Sequence, residues 1–195
     1  MSAACPPGGA NTGGANTGGA QSAAADPADE DLDRHRRRVL WALPTGLYLV
    51  GSRARDEVNL MTANLVVQVC IDPKLVAVAL ERDSITTRLV RAGGSFSISL
   101  LDRADRDVVR RFVKPVSEVE RGPDGAVLAM SGHPVTEVGP DRLPVLGAAV
   151  GHLACTVRSA EDLGSHLLCI GEVTEVGGEP SEVLRMEDTR MHYGG

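Results

Sequence analysis

The sequence predicts a mainly β protein, built as a closed antiparallel barrel rather than a doubly wound parallel sheet. Two observations carry this. Short apolar runs bounded by Gly, Pro, Asp and Asn recur from Thr45 to Val176, the pattern of many short strands. Helical spacing interrupts them only twice, after the fourth strand and after the fifth. A parallel sheet needs a helix after nearly every strand.

In chain order, residues 1–30 are low in complexity. Gly9-Ala10-Asn11-Thr12-Gly13 recurs as Gly14-Ala15-Asn16-Thr17-Gly18, with no large apolar residue nearby. Burial there cannot offset chain entropy, so residues 1–30 are expected to be a disordered tail and 31–195 a folded domain. Asp31 to Trp41 mixes charges with Leu32, Val39, Leu40 and Trp41 and reads as a short helix. Its run Arg34-His35-Arg36-Arg37-Arg38 reads as a solvated face.

Thr45 to Ser52 is the first strand, and Arg53 to Glu57 a polar turn. Val58 to Met61 and Leu65 to Ile71 are strands separated by Thr62-Ala63-Asn64. Asp72-Pro73 stops the chain. Lys74 to Leu80 is a continuous apolar strand, the signature of burial on both faces. Ser84 to Ala92 is a helix, with Ile85, Leu89 and Val90 at helical spacing, a Ser84 cap and a Gly93-Gly94 stop. Ser95 to Leu101 is a strand. Asp102 to Val113 reads as a charged amphipathic helix with Asp102 as its cap and Asp105 at its third position. The Gly- and Pro-rich stretch Ser117 to Pro140 reads as loop with short strands. Gly151 to Ser159 and Ser165 to Val176 form a hairpin around Ala160 to Gly164. That register sets Ser159 opposite Ser165, Arg158 opposite His166 and Cys155 opposite Cys169.

Composition narrows the function. The chain has 195 residues, 43% hydrophobic and 24% charged, enough for one ordinary domain. A formal net charge of -6 and 3% aromatic residues argue against a phosphate-backbone or base-stacking surface. No apolar run approaches membrane length. Cys5, Cys70, Cys155 and Cys169 form no C-x-x-C pair, so neither a disulfide scaffold nor a zinc site is indicated. Cys155 and Cys169 read as small core residues. With no secretory pattern at the N-terminus, a cytoplasmic protein with reduced thiols is expected.

Several chemistries lack their motifs. There is no Gly-x-Ser-x-Gly elbow, His-Glu-x-x-His helix or Walker Gly-Lys-Ser/Thr, and no Gly-x-Gly-x-x-Gly following a strand. His35, His133, His152, His166 and His192 show no ligand spacing. What remains is Thr62-Ala63-Asn64 at a strand junction and Asp83-Ser84-Ile85-Thr86-Thr87 at a helix start. A helix N-terminus offers free N–H groups and a positive dipole end. With hydroxyls at Ser84, Thr86 and Thr87 it can hold a phosphate without Lys or Arg. Plain capping by Ser84 is the alternative on this segment alone.

Several strings in fixed order extend these signals. They are Pro44-Thr45-Gly46-Leu47-Tyr48-Leu49-Val50, Leu60-Met61-Thr62-Ala63-Asn64, Gln68-Val69, Asp72-Pro73-Lys74 running on to Leu80, and Ser84-x-Thr86-x-x-Leu89-Val90. Farther on come Leu146-Gly147-Ala148, Leu153-Ala154-Cys155 and Gly164-Ser165-His166 running on to Gly171-Glu172-Val173. Together they resemble the flavin reductase-like, FMN-binding split-barrel family over roughly Val39 to Val176. The resemblance implies a six-stranded antiparallel Greek-key barrel with flanking helices, a homodimer, and FMN or FAD near the subunit interface. It implies reduction of flavin by NADH or NADPH and a possible monooxygenase partner. The alternatives are a flavin-dependent oxidoreductase acting directly on another substrate, or a non-catalytic flavin- or haem-binding protein. By position, Thr62, Ala63 and Asn64 would contact ribityl and phosphate groups. Gln68 and Val69 would line the isoalloxazine edge, Ser84 and Thr86 would help hold the phosphate, and His166 would bind the nicotinamide. Arg111, Phe112 and Lys114 fall where a loop crosses the flavin, although Phe112 and Trp41 also suit simple packing. Two departures stand out. The family's Asp before the hairpin His is Ser165 here, and the ending Leu184 to Gly195, with Met186-Glu187-Asp188-Thr189-Arg190 and Tyr193, is not the family's commonest.

Overall fold

A computed structural model describes residues 27–180, 182–189 and 191. Most of the expected tail, and Arg190 and Tyr193 of the ending, lie outside them. Helix α1 (Pro27–Trp41) begins four residues earlier than the sequence predicts. Asp29 and Glu30 in its first turn and Arg38 in its last complement the helix dipole. Asp31 pairs with Arg34 at 2.7 Å and Asp33 with Arg37 at 3.1 Å, the helical spacing at which opposite charges meet.

The body follows as β1 (Tyr48–Ala54), β2 (Glu57–Ala63), β3 (Val66–Cys70), β4 (Leu75–Glu81), α2 (Ile85–Gly93), β5 (Ser95–Leu100) and the single turn α3 (Val108–Arg111). Then come β6 (Val119–Arg121), β7 (Val127–Met130), β8 (His133–Val138), β9 (Leu143–Leu146), β10 (Gly151–Leu163) and β11 (His166–Gly178). Seven strands make one antiparallel sheet in the order β2-β1-β5-β10-β11-β4-β3. Its two edge strands, β2 and β3, are consecutive in the chain and joined only by Asn64-Leu65. The sheet must therefore curl until its edges meet. No ladder joins those edges among the described residues, so the barrel is split along that seam. The expected six strands are seven, and the short strands expected between Ser117 and Pro140, with β9 after them, form a second sheet, β6-β7-β8-β9.

The curled sheet closes on Val50, Val78, Leu80, Phe96, Ile98, Leu167 and Cys169, all fully or almost fully buried. Gly171 is small because a Cβ there would lie 2.6 Å from the Phe96 ring. A second cluster, with Leu49, Leu60, Phe112, Met130, Leu146 and Leu184, fills the space between the two sheets. The sheets meet along a polar seam on β5. The Ser97 hydroxyl donates to the Pro144 carbonyl at 2.6 Å, and the Leu146 N–H donates to Ser99 Oγ at 3.0 Å. A Cβ at Gly51 would lie 2.1 Å from the same Pro144 oxygen, so that approach demands glycine.

Two expectations are corrected. The helix expected over Asp102 to Val113 is only the turn α3. The Asp102 carboxylate accepts from Ala104 N–H at 2.8 Å, and Arg103 N–H donates to Glu182 O at 2.8 Å. Apolar anchors in the segment are confined to Val108, Val109 and Phe112, too few to seat three helical turns. Instead the segment ties to the C-terminal strap. Leu184 is wholly buried, donating its N–H to Leu101 O and accepting from Leu47 N–H. The β10–β11 hairpin also turns more tightly than predicted, with Leu163 opposite His166 and only Gly164-Ser165 between. Gly164 has φ of 77°, which a two-residue turn matched to strand twist requires. Bulges near Cys155 and Val157 shift the rest, so Cys155 faces Val173 and Cys169 faces Ala160.

Candidate active site at the end of β4

β4 ends at Glu81, and three pieces of chain converge there. Glu81 pairs with His166 of β11. On the other side, Ala79 N–H donates to Leu65 O at 3.0 Å, bringing the Thr62-Ala63-Asn64 junction alongside. The chain then turns directly into α2 through Ser84. The corner is braced by Arg82 N–H donating to Ser165 O at 2.9 Å, and by Asp162, which meets Arg91 at 2.6 Å and Arg82 at 3.8 Å.

At α2, Ser84 is the N-cap: its hydroxyl accepts from Thr87 N–H at 3.1 Å. Thr87 in turn donates to Glu81 O at 2.7 Å. Capping leaves the first-turn N–H groups of Ile85 and Thr86 available to a ligand or water. No acidic residue lies in that first turn, so an anion meets no like charge on the helix. These donors fit a flavin phosphate. The Thr86 hydroxyl does not join them. It is fully buried, and its hydroxyl accepts from Asn59 Nδ2 at 2.9 Å. Thr86, Leu89 and Val90 share the face of α2 turned to the sheet, whereas Ile85, expected there with Leu89 and Val90, is 36% exposed.

The junction residues are buried at 8%, 4% and 6% exposure for Thr62, Ala63 and Asn64. The Thr62 hydroxyl donates to Val109 O at 2.6 Å and its N–H to Phe112 O at 3.0 Å. Thr62 therefore anchors the segment after α3 rather than pointing at solvent. Phe112 is wholly buried against His133, ring centroids 5.7 Å apart, which leaves no ring face for a flavin and corrects its expected role. Lys114 and Arg111 are exposed beside it. Lys114 lies on a strap along β2, held at its far end by Val116 N–H donating to Asn59 Oδ1 at 3.3 Å. Asn59 thus joins β2, α2 and the strap through one buried amide. Its only sequence signal was a polar residue inside the apolar run Val58 to Met61.

His166 is half-buried, and its Nδ1 is hydrogen-bonded to Ser165 Oγ at 2.9 Å. Where the resemblance implies a carboxylate, a neutral hydroxyl meets the imidazole. Gln68 and Val69 are exposed farther along β3. Gln68 pairs with Val76, four residues from Leu80, or about 13 Å along the strand. Clefts of about 620 and 630 Å³ lie elsewhere, one lined by Arg53, Arg88 and Asp141, the other by Tyr48, Arg103 and Arg185. The buried Cys155 and Cys169 are core residues. Burial pushes the Cys155 thiol up to about 12, and burial, against the nearby Arg91, pushes Cys169 up to about 11.

With this geometry described, known proteins place the chain in a class. The flavin reductase like domain family matches residues 40–194, and the chain belongs to that family. An NADH-dependent flavin reductase of a Rhodococcus species is 29% identical over 145 residues, 73% of this chain and 75% of the relative. The solved NADH:FAD oxidoreductase of Streptomyces globisporus superposes with a TM-score of 0.67 at 23% identity, covering 90% of this chain and 93% of that one. The styrene monooxygenase flavin reductase of Pseudomonas putida gives 0.59 at 25% identity over 74% and 87%. The mainly β, split-barrel-like fold is the one these structures share.

Proposed function

We propose that the chain is a flavin reductase that oxidises NADH or NADPH and reduces FMN or FAD at the end of β4. The observation that carries this reading is the convergence of Asn64, the Ser84 helix start and His166 on that one corner, in a chain of the flavin reductase family. A bound flavin would supply the redox chemistry of nicotinamide-dependent reduction, so no protein acid or base is required for it. The residues of this chain bind and orient. Ser84, with the N–H groups of Ile85 and Thr86, holds the phosphate. Ala63 and Asn64 meet the ribityl and phosphate groups, Gln68 and Val69 line the isoalloxazine edge, and Lys114 approaches from the strap. His166, oriented by Ser165, positions the nicotinamide and contributes through alignment. Thr62 is a positioning residue, holding the segment that carries Lys114.

The same reading includes a second copy covering the exposed side of β3, and an oxygenase that consumes the reduced flavin, as the name of the Pseudomonas putida relative indicates for that protein. Free thiols suit a cytoplasmic setting. Replacing His166 with Ala tests the assignment. The apparent affinity for NADH should fall with FMN affinity nearly unchanged, and identical kinetics would remove His166 from the site.

A further inference from the structure

The Asp162 carboxylate lies at the tip of the β10–β11 hairpin between two guanidinium groups. Its Oδ1 meets Arg91 of α2 at 2.6 Å and Arg82, just past β4, at 3.8 Å. Its Oδ2 accepts no hydrogen bond from a described residue. All three side chains are about half exposed, so the pairing itself adds little to stability. Glu81, Asp83 and Glu161 stand on the same strand ends and have no ion-pair partner among the described residues. The neighbouring cations are engaged elsewhere: Arg88 turns to Glu57 at 2.6 Å, and Arg158 pairs with Glu172 farther down the hairpin.

We propose that Asp162 decides which nicotinamide nucleotide this chain uses: it accepts the adenosine ribose of NADH and refuses the extra phosphate that NADPH carries there. The inference rests on the function proposed above, with the nicotinamide at His166. The hairpin tip divides that corner in two. His166 lies opposite Leu163 and Asp162 opposite Leu167, so imidazole and carboxylate leave the ladder on opposite faces. Only Gly164-Ser165 stand between, and a Cβ at Gly164 would meet nothing within 4 Å, so the path over the tip is open. A dinucleotide separates its nicotinamide from its adenosine by two riboses and a pyrophosphate, and it therefore reaches both faces. The open Oδ2 is an acceptor for ribose hydroxyls, the recognition a carboxylate gives dinucleotides on other folds. The guanidinium groups of Arg82 and Arg91, which could grip a phosphate, are held on Oδ1 instead. Asp162, Glu81, Asp83 and Glu161 outnumber them, so the tip is negative and repels a further phosphate. The pyrophosphate is common to both nucleotides and does not discriminate.

The test compares kcat/KM for NADH and NADPH, with FMN present, in the unchanged chain and in Asp162→Asn, which keeps the shape and removes the charge. Equilibrium titration with oxidised NAD and NADP gives a second readout that needs no turnover. The unchanged chain is expected to prefer NADH. In Asp162→Asn, NADPH efficiency and NADP affinity should rise by about 10- to 100-fold, the size of one charged hydrogen bond, while NADH efficiency falls. Adding Arg91→Ala to that variant should cancel the gain. A nucleotide preference that Asp162→Asn leaves unaltered overturns the inference. So do equal losses with both nucleotides and a lower melting temperature, which would make Asp162 a brace. An unchanged chain that uses NADPH as well as NADH also overturns it. FMN bound without oxidation of either nucleotide removes both this inference and the function beneath it.

Discussion

At the scale of single residues, the work of a hydroxyl follows from what it already touches. Ser84 and Thr86 are two positions apart in one helix start, yet one caps at the surface and the other is spent inside on Asn59. Replacing Ser84 with Ala should lower stability by about 1 kcal/mol and weaken FMN more than riboflavin, which lacks the phosphate. Replacing Thr86 with Val leaves a buried amide unpaired, costing about 1–3 kcal/mol, and should change FMN and riboflavin affinity equally. Thermal denaturation and titration of both ligands check these outcomes. The thiols give a second check. With folded values near 12 and 11, Cys155 and Cys169 should resist alkylation at mildly alkaline pH until the protein is denatured. Half-buried Cys70 should label before either of them, as mapped by mass spectrometry. The Ser84 cap was legible because capping is local. The orientation of Thr86 was legible only through its spacing with Leu89 and Val90, which outweighs the attraction of a second hydroxyl near a helix start.

At the scale of elements, strands set by apolar runs were readable and those set by tertiary contacts were not. β4, α2 and β5 fall within about a residue of the ranges their sequences predict. The second sheet was legible only as short strands without bounds, because Gly and Pro in Ser117 to Pro140 blur strands held from outside. Glu137 on β8 is the clearest of these outside supports. It meets Arg53 of β1, and its other carboxylate oxygen accepts from Arg142 at 2.6 Å. Burial pushes the Glu137 carboxyl up, but the Val127 N–H, Arg142 and Arg53 outweigh it and hold it below its ordinary value of 4.5. Because the folded value is the lower one, the carboxylate adds stability above the unfolded value, and that contribution disappears as pH falls through the folded value. Glu137→Gln should therefore destabilise the protein at pH 7 by about 1–3 kcal/mol, and its stability curve should converge with that of the unchanged chain in acid. Equal stability at neutral pH would show that the bridge between the sheets contributes nothing net.

At the scale of the whole molecule, a closed barrel was legible from strand count and the missing strand–helix alternation. Its split was not, because the split depends on which edges meet. The order β2-β1-β5-β10-β11-β4-β3, with Asn64-Leu65 spanning the two edges, places the junction, the helix start and the hairpin together. Residues more than one hundred positions apart, Asn64 and His166, thus reach one corner through the ladders of β4. The central claim is that this corner binds flavin and serves nicotinamide-dependent reduction. Its most direct test is the absorbance of the reduced nicotinamide when the purified chain is mixed with NADH, with and without FMN, beside the His166→Ala variant. The account predicts NADH oxidation that depends on added FMN and requires more NADH for half-maximal rate in the variant. FMN bound without any oxidation of NADH or NADPH would contradict it.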